Sequence, residues 1–307
     1  MDKSADDAPA ATETRCGVVA VLGAPNAGKS TLVNALVGQK VAITSPKAQT
    51  TRARLLGIAL AENAAGEPTQ IVLADTPGIF APKRRLDRAM VNAAWEGADE
   101  ADAILLVVDP IKQRRHELMP LIETLAQRPE RKILVINKVD ASKKEALLVL
   151  AQDLDAQAKF DEIFFVSALT GDGVDEMKAH LASLMPEGPW LYPEDQVSDA
   201  SQRLLAAEIT REQLYLQLRE ELPYDSAIRP EAYVERPDGS VEIRQQIVLG
   251  RDSQKPIVLG KGGARIKAIG EAAREELSKL LGQKVHLFLH VKVQENWAED
   301  KELYEVL

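Results

Sequence analysis

The chain has 307 residues, 45% of them hydrophobic, and 38 Lys and Arg against 47 Asp and Glu give a formal charge of −9. That length accommodates two domains and at least one large core, while the acidic balance excludes a uniformly basic nucleic-acid coat. The single cysteine, Cys16, excludes an intramolecular disulfide and a cysteine zinc cluster, which points to a reducing cytoplasm.

Residues 1–15 are rich in Asp and Ala and lack the basic-then-apolar pattern of a signal peptide, so they are expected to form a disordered tail. Cys16 is read as a small buried filler at a strand entrance. The first predicted strand, Val18–Leu22, runs into Gly23-Ala24-Pro25-Asn26-Ala27-Gly28-Lys29-Ser30, and a helical pattern opens after Ser30 with Thr31. This G-x-x-x-x-G-K-S order predicts a phosphate-binding loop, in which glycines let backbone N–H groups surround phosphate oxygens and the helix N-terminus adds a favourable dipole. Lys29 is expected to reach the β- and γ-phosphates as a catalytic charge, and Ser30 to give its hydroxyl to Mg²⁺.

Next comes Thr44-Ser45-Pro46-Lys47-Ala48-Gln49-Thr50-Thr51-Arg52, polar and without strand or helix periodicity. It suits a switch loop in which one threonine, Thr51 in preference to Thr50, ligates Mg²⁺ when a γ-phosphate is present. Strands are predicted over Leu55–Ala61 and Gln70–Ala74, the latter ending in Asp75-Thr76-Pro77-Gly78. Asp75 is expected in the Mg²⁺ shell and the Gly78 N–H at the γ-phosphate. Ile79 follows where many signalling GTPases carry a water-orienting glutamine, so slow intrinsic hydrolysis is expected, or a different device such as a K⁺ ion. The Asn26 oxygen is one candidate ligand for that cation, and local hydrogen bonding within the loop is the equal alternative.

A helix over Arg85–Gly97, a strand over Ala103–Val108 and a helix over Glu117–Gln127 precede the strand Lys132–Ile136 and its Asn137-Lys138-Val139-Asp140. Guanine offers N1–H and its exocyclic amine as adjacent donors; Asp140 can accept both, whereas adenine would leave it unpaired. Asn137 is expected to tie loops together or touch the base edge, and the Lys138 stem to cover the ring. After a helix over Lys143–Lys159 and a strand over Ile163–Val166, Ser167-Ala168-Leu169 fits a backbone N–H contact to the guanine carbonyl. A helix over Gly173–Leu184 completes the pattern. Residues 16–186 are thus expected to be one α/β domain with a mostly parallel, doubly wound sheet of the P-loop NTPase class.

Three prolines and a glycine within Pro186–Pro193 mark a linker, placed at 187–198. The second domain is placed at 199–307. From position 225 onward it holds 13 Lys and Arg against 14 Asp and Glu, so it is less acidic than the first. Its pattern is a helix over Ser198–Glu221, strands Ala227–Glu235 and Val241–Leu249 joined through Asp238-Gly239, a short helix Pro256–Leu259, Gly260–Gly263, a helix to Leu280 and a strand Lys284–Val293. Gly260-Lys261-Gly262-Gly263 predicts the G-x-x-G loop of a type II KH module, a smaller α+β fold that clamps single-stranded RNA by close backbone approach. Lys261, Arg265 and Lys267 lie where phosphates would pass.

These motifs, with K-A-Q-T-T-R at Lys47–Arg52, S-Q-R at Ser201–Arg203, E-L-P-Y at Glu221–Tyr224 and V-L-G-K-G-G-A-R-I-K-A-I-G at Val258–Gly270, resemble the Era-like family of bacterial GTPases from Gly17 to the end. The resemblance implies a Mg²⁺-dependent GTPase binding GTP and GDP, joined to a KH domain that holds the 3′ end of 16S rRNA during maturation of the small (30S) ribosomal subunit. It also implies a cytoplasmic protein with peripheral inner-membrane association, and a monomer is expected. Lys261-Gly262 departs from the Asn-Lys pair of many relatives, shifting the basic side chain by one position. A competing expectation is a scaffold whose nucleotide is a structural ligand; Ile79 is the residue that favours it.

Overall fold

The computed structural model describes residues 14–45, 55–79, 85–111, 115–218 and 222–299. The first unit contains β1 (Arg15–Leu22), α1 (Lys29–Val37), β2 (Leu55–Glu62), β3 (Pro68–Asp75), α2 (Arg85–Asp99), β4 (Ala103–Val108), α3 (Arg115–Ala126), β5 (Arg131–Ile136), α4 (Lys144–Ala158), β6 (Glu162–Phe165) and α5 (Val174–Leu184). Six strands form one sheet in the order β2-β3-β1-β4-β5-β6. Only β2 runs antiparallel, against β3; the other neighbours are parallel.

Near-continuous apolar runs in these strands follow from burial on both faces. In β1, Val19 and Val21 pack with Leu32, Leu36, Met177 and Leu181 on one side, while Ala20 and Leu22 pack with Leu121, Ile122 and Leu154 on the other. The parallel strands end at one edge of the sheet, so the residues after β1, β3, β4, β5 and β6 gather there. This is the edge at which open α/β sheets bind ligands.

The second unit contains α6 (Gln202–Gln217), β7 (Ser226–Glu235), β8 (Val241–Leu249), α7 (Lys255–Leu259), α8 (Ala264–Leu281) and β9 (Val285–Val293). Strand β8 lies between antiparallel β7 and parallel β9. The Asp238-Gly239 turn closes the β7–β8 hairpin, with the Asp238 carboxylate accepting from the Ser240 N–H at 3.0 Å. Helices α6 and α8 cover one face of this sheet through Ala206, Ile209, Ala273 and Leu277. Among the described residues, no helix is long and apolar enough to cross a membrane.

Of the tail expected over residues 1–15, all but Thr14 and Arg15 lies outside the described residues. Those two are tied into the fold: the Thr14 hydroxyl donates to the Gly188 carbonyl at 2.9 Å, and Arg15 opens β1. The segment expected as a linker is a pinned strap. The Gln70 side chain accepts from the N–H groups of Leu191 and Tyr192, both at 3.0 Å, and donates to the Tyr192 carbonyl at 2.8 Å. Farther on, the Ile58 N–H donates to the Val197 carbonyl at 2.8 Å and Ser198 bridges Gly57. The strap therefore covers the exposed edge of β2, which would otherwise present unpaired backbone groups.

This also corrects the start expected for the helix at Ser198. Asp199 accepts from the Leu56 N–H at 2.9 Å, so the helix begins only after Ser201, whose hydroxyl caps the Leu204 N–H at 3.2 Å. At the other end α6 stops at Gln217 rather than Glu221, with Leu218 in an extended conformation. Cys16 is buried as expected, its thiol 3.6 Å from the Gln70 side chain, and burial raises its pKa.

Gln70→Ala removes three backbone contacts of the strap at once. The expected loss is about 2–4 kcal/mol by urea unfolding, with faster proteolysis between residues 187 and 198.

Candidate functional site

The phosphate loop passes from β1 into α1 through Gly28, whose φ of +98° makes it a left-handed N-cap. A Cβ there would lie 2.2 Å from the Asn137 amide nitrogen, so glycine is required by conformation and by space. Asn137, 2% exposed, donates to the Ala27 carbonyl at 3.0 Å and accepts from the Ala168 N–H at 3.0 Å. One side chain thereby fixes the phosphate loop, the end of β5 and the turn after β6 to one another. Of the two roles expected for Asn137, the structure places it in the first, as a tie between loops.

Lys29 is buried and curls over the loop, its ammonium 3.2 Å from the carbonyls of both Gly23 and Ala24. Burial lowers its pKa to about 8, with the Asp75 charge acting in the opposite direction. Asp75 ends β3 and accepts from the Ser30 hydroxyl at 2.7 Å. Two hard oxygen donors thus meet beside the loop, which fits a Mg²⁺ ion. Among the described residues there is no group of three His, Cys, Asp or Glu that would make a separate metal centre.

Thr76 donates to the Val21 carbonyl at 2.7 Å and the Ile79 N–H donates to the Gly23 carbonyl at 3.1 Å, which holds Gly78 against the loop. The Ile79 side chain packs onto the apolar cluster around Leu22 and Leu106. Thr50 and Thr51 lie outside the described residues.

At the base end, Asp140 is exposed in a short turn over Val139–Ala141. Lys138 adopts φ +60° and donates to the Asn26 carbonyl at 2.8 Å and to the Asp109 carboxylate at 2.6 Å. Asp109 is the functional residue that motif reading missed. It follows β4 at the same sheet edge, is nearly buried, and also accepts from the Ile111 N–H at 2.8 Å. A carboxylate directly after a fully apolar strand, in Val107-Val108-Asp109-Pro110, is the signal that marks it. In the turn after β6, Ser167 accepts from the N–H groups of Thr170 at 3.2 Å and Gly171 at 2.8 Å. The Ala168 N–H is taken by Asn137, and Leu169 beside it is 81% exposed.

The second candidate site lies between α7 and α8. Gly260 has φ +71°, and a Cβ there would meet the Arg265 backbone nitrogen at 2.9 Å. Gly263 caps α8 from the left-handed region. Lys261, Arg265 and Lys267 are all exposed. Arg265 donates to the Ile257 carbonyl at 2.9 Å, so part of its guanidinium braces the end of α7. Lys267 sits 3.8 Å from Glu271 one turn along, a loose surface pair that an approaching phosphate can replace.

Comparison with known proteins identifies a family for each unit. Residues 18–138 match the family model described as 50S ribosome-binding GTPase, and residues 221–298 match the KH domain model. The chain is similar to GTPase Era of Erythrobacter litoralis, 76% identical over 292 residues that cover 95% of this chain and 96% of the relative. It is 56% identical to GTPase Era of Afipia carboxidovorans over 291 residues, 95% of this chain and 93% of the relative. Among solved structures, Era in complex with MgGDPNP and nucleotides 1506–1542 of 16S ribosomal RNA superposes with a TM-score of 0.88 at 38% identity, covering 95% of this chain and 98% of that one. A single-residue variant of Aquifex aeolicus Era bound to GDP and AlF4⁻ gives a TM-score of 0.87 at the same identity and coverage.

Asp109→Ala frees the Lys138 ammonium from its carboxylate while leaving every residue placed against the nucleotide intact. GDP affinity is expected to fall by roughly tenfold, read by equilibrium titration, because loss of a charged hydrogen-bond partner is worth about 1.5–3 kcal/mol.

Proposed function

We infer the role of this chain from the premise that it belongs to the Era family of GTPases, with a P-loop GTPase domain followed by a KH domain. It binds guanine nucleotide and hydrolyses GTP. Our reading is that GTP and GDP states set its grip on the 3′ end of 16S rRNA, and that this grip serves maturation of the 30S subunit in the cytoplasm. The observation that carries it is the presence, in one chain, of the Asn137-tied nucleotide loops and the Gly260–Gly263 cradle.

In this reading Lys29 and the loop amides from Gly23 to Thr31 neutralise the β- and γ-phosphates, and the Gly78 amide meets the γ-phosphate. Asp140 accepts the two guanine donors and Leu169 offers an amide to the guanine carbonyl. Ser30 and Asp75 would hold Mg²⁺, with Thr51 joining them in the triphosphate state. The ion, when bound, supplies positive charge beside the phosphate oxygens. Ile79 has no group to orient water, so the attacking water relies on backbone groups, on RNA, or on K⁺ held near Asn26. The KH loop takes RNA by backbone approach, with Lys261 and Lys267 at phosphates.

Xanthine carries a C2 carbonyl where guanine has its amine, so Asp140→Asn is expected to shift preference from GDP toward XDP in competition binding. Unchanged GDP preference removes Asp140 from base recognition. A 3′-terminal 16S oligonucleotide should bind the GTP-analogue and GDP states with affinities that differ about fivefold or more at fixed salt. Equal affinities overturn the coupling. Gly263→Asp should weaken RNA binding and leave intrinsic hydrolysis unchanged. The scaffold reading, which Ile79 keeps open, predicts GTP turnover that RNA, small subunits and K⁺ all fail to stimulate.

A further inference from the structure

The residues that leave α1 do not end in the GTPase unit. Asn34 of α1 accepts from the N–H groups of Val41 at 2.8 Å and Ala42 at 2.9 Å and donates to the Ala42 carbonyl at 2.7 Å, which makes residues 38–45 move with the helix that starts at the phosphate loop. The far side of this segment is built into the KH unit. Ile43, 2% exposed, packs among Ala206 and Ile209 of α6 and Ala273 and Leu277 of α8. Lys40 forms ion pairs with Glu212 of α6 and Glu276 of α8. Glu212, its side chain 4% exposed, also accepts from the Thr44 N–H at 2.7 Å. Gln213 donates to Glu276 at 3.0 Å and ties α6 to α8.

A surface ion pair would explain little, since exposed pairs contribute about 0–1 kcal/mol. This one differs. Glu212 is withdrawn from water, satisfied from both directions by GTPase-unit donors, and backed by an apolar plug. Burial by itself would lower the Lys40 pKa, but its hydrogen bonds to Glu212 and Glu276 outweigh that and hold it above its ordinary value. Removing Lys40 leaves the buried Glu212 carboxylate without its counter-ion, which is costly in a way that losing a surface pair is not.

We propose that Glu212 is a positioning residue through which the KH domain and the nucleotide site act on each other: with Glu276 it clasps Lys40 and Thr44, so that displacement of α1 and residues 38–45 is passed to α6 and α8, the helices that frame the RNA-binding unit. This deepens the coupling proposed above and rests on it for its consequence at RNA. The clasp itself is measurable without RNA. Helix α6 carries the clasp on one side and joins the Asp199 contact to β2 at its start, so its backbone should report the nucleotide state.

The test is hydrogen exchange of the full chain over residues 202–217, with GDP and with a GTP analogue, for wild type, Lys40→Met, Lys40→Arg and Glu212→Gln. The wild type should exchange differently in the two states; Lys40→Met and Glu212→Gln should lose most of that difference, and Lys40→Arg, which keeps the charge, should retain it. Lys40 lies at the margin of the contact, so Lys40→Met remains informative if the buried Glu212→Gln variant fails to fold. In parallel, the ratio of RNA affinities between the two nucleotide states should collapse toward one in Lys40→Met. A wild-type helix whose exchange ignores the nucleotide, or a Lys40→Met variant that keeps both the exchange difference and the affinity ratio, overturns the clasp. A wild-type RNA affinity that ignores the nucleotide while helix α6 still responds overturns the rRNA coupling and leaves the clasp standing.

Discussion

The Asn137 amide is the constraint on which the nucleotide site depends. It is buried at the end of β5, where it donates to the phosphate loop and accepts from the turn after β6. Three segments far apart in sequence therefore share one rigid joint, and Gly28 is held at φ +98° directly beneath it. The phosphate loop and the turn after β6 are thereby held in one fixed relation to each other. Such preorganisation reduces the ordering cost of binding.

Around this joint, β3, β4, β5 and β6 each contribute one polar residue at or just after the carboxyl end. Asp75 ends β3 and meets Ser30 across the head of α1; Asp109 follows β4 and fixes Lys138; Ser167 lies just beyond β6 and closes its own turn. The arrangement is a consequence of topology, because apolar strands buried on both faces leave polar side chains no place except the edge. The antiparallel β2 stands apart from this row. It carries the strap on its outer side and, through Asp199, leads directly to the helix that holds Glu212. The nucleotide edge and the KH unit are thereby joined along two routes, one through residues 38–45 and one through the strap.

Much of this was legible in the sequence because it rests on local rules. The glycine and lysine spacing of Gly23–Ser30, the polar residues closing apolar strands, and Gly260–Gly263 each follow from backbone or ligand chemistry that needs few long-range contacts. What escaped were the roles set by distant partners that no motif announces. Pro186–Pro193 reads as a break, and it is one, but nothing near it reveals that Gln70 binds the chain to the sheet. Arg265 reads as a phosphate ligand because its other employment, at the Ile257 carbonyl, depends on how α7 ends. Glu212 reads as one more charge on an amphipathic helix, since its partners Lys40 and Thr44 lie 172 and 168 residues earlier.

The central claim is that Asn137 makes phosphate and base recognition a single unit. The direct measurement is GDP and GTP binding by Asn137→Ala, followed with fluorescent nucleotides alongside thermal unfolding of the ligand-free protein. Losing both buried hydrogen bonds at the joint should weaken both nucleotides by at least about thirtyfold, with faster release dominating, while the ligand-free protein still unfolds cooperatively. Wild-type affinity for both nucleotides in a folded Asn137→Ala variant would contradict the account.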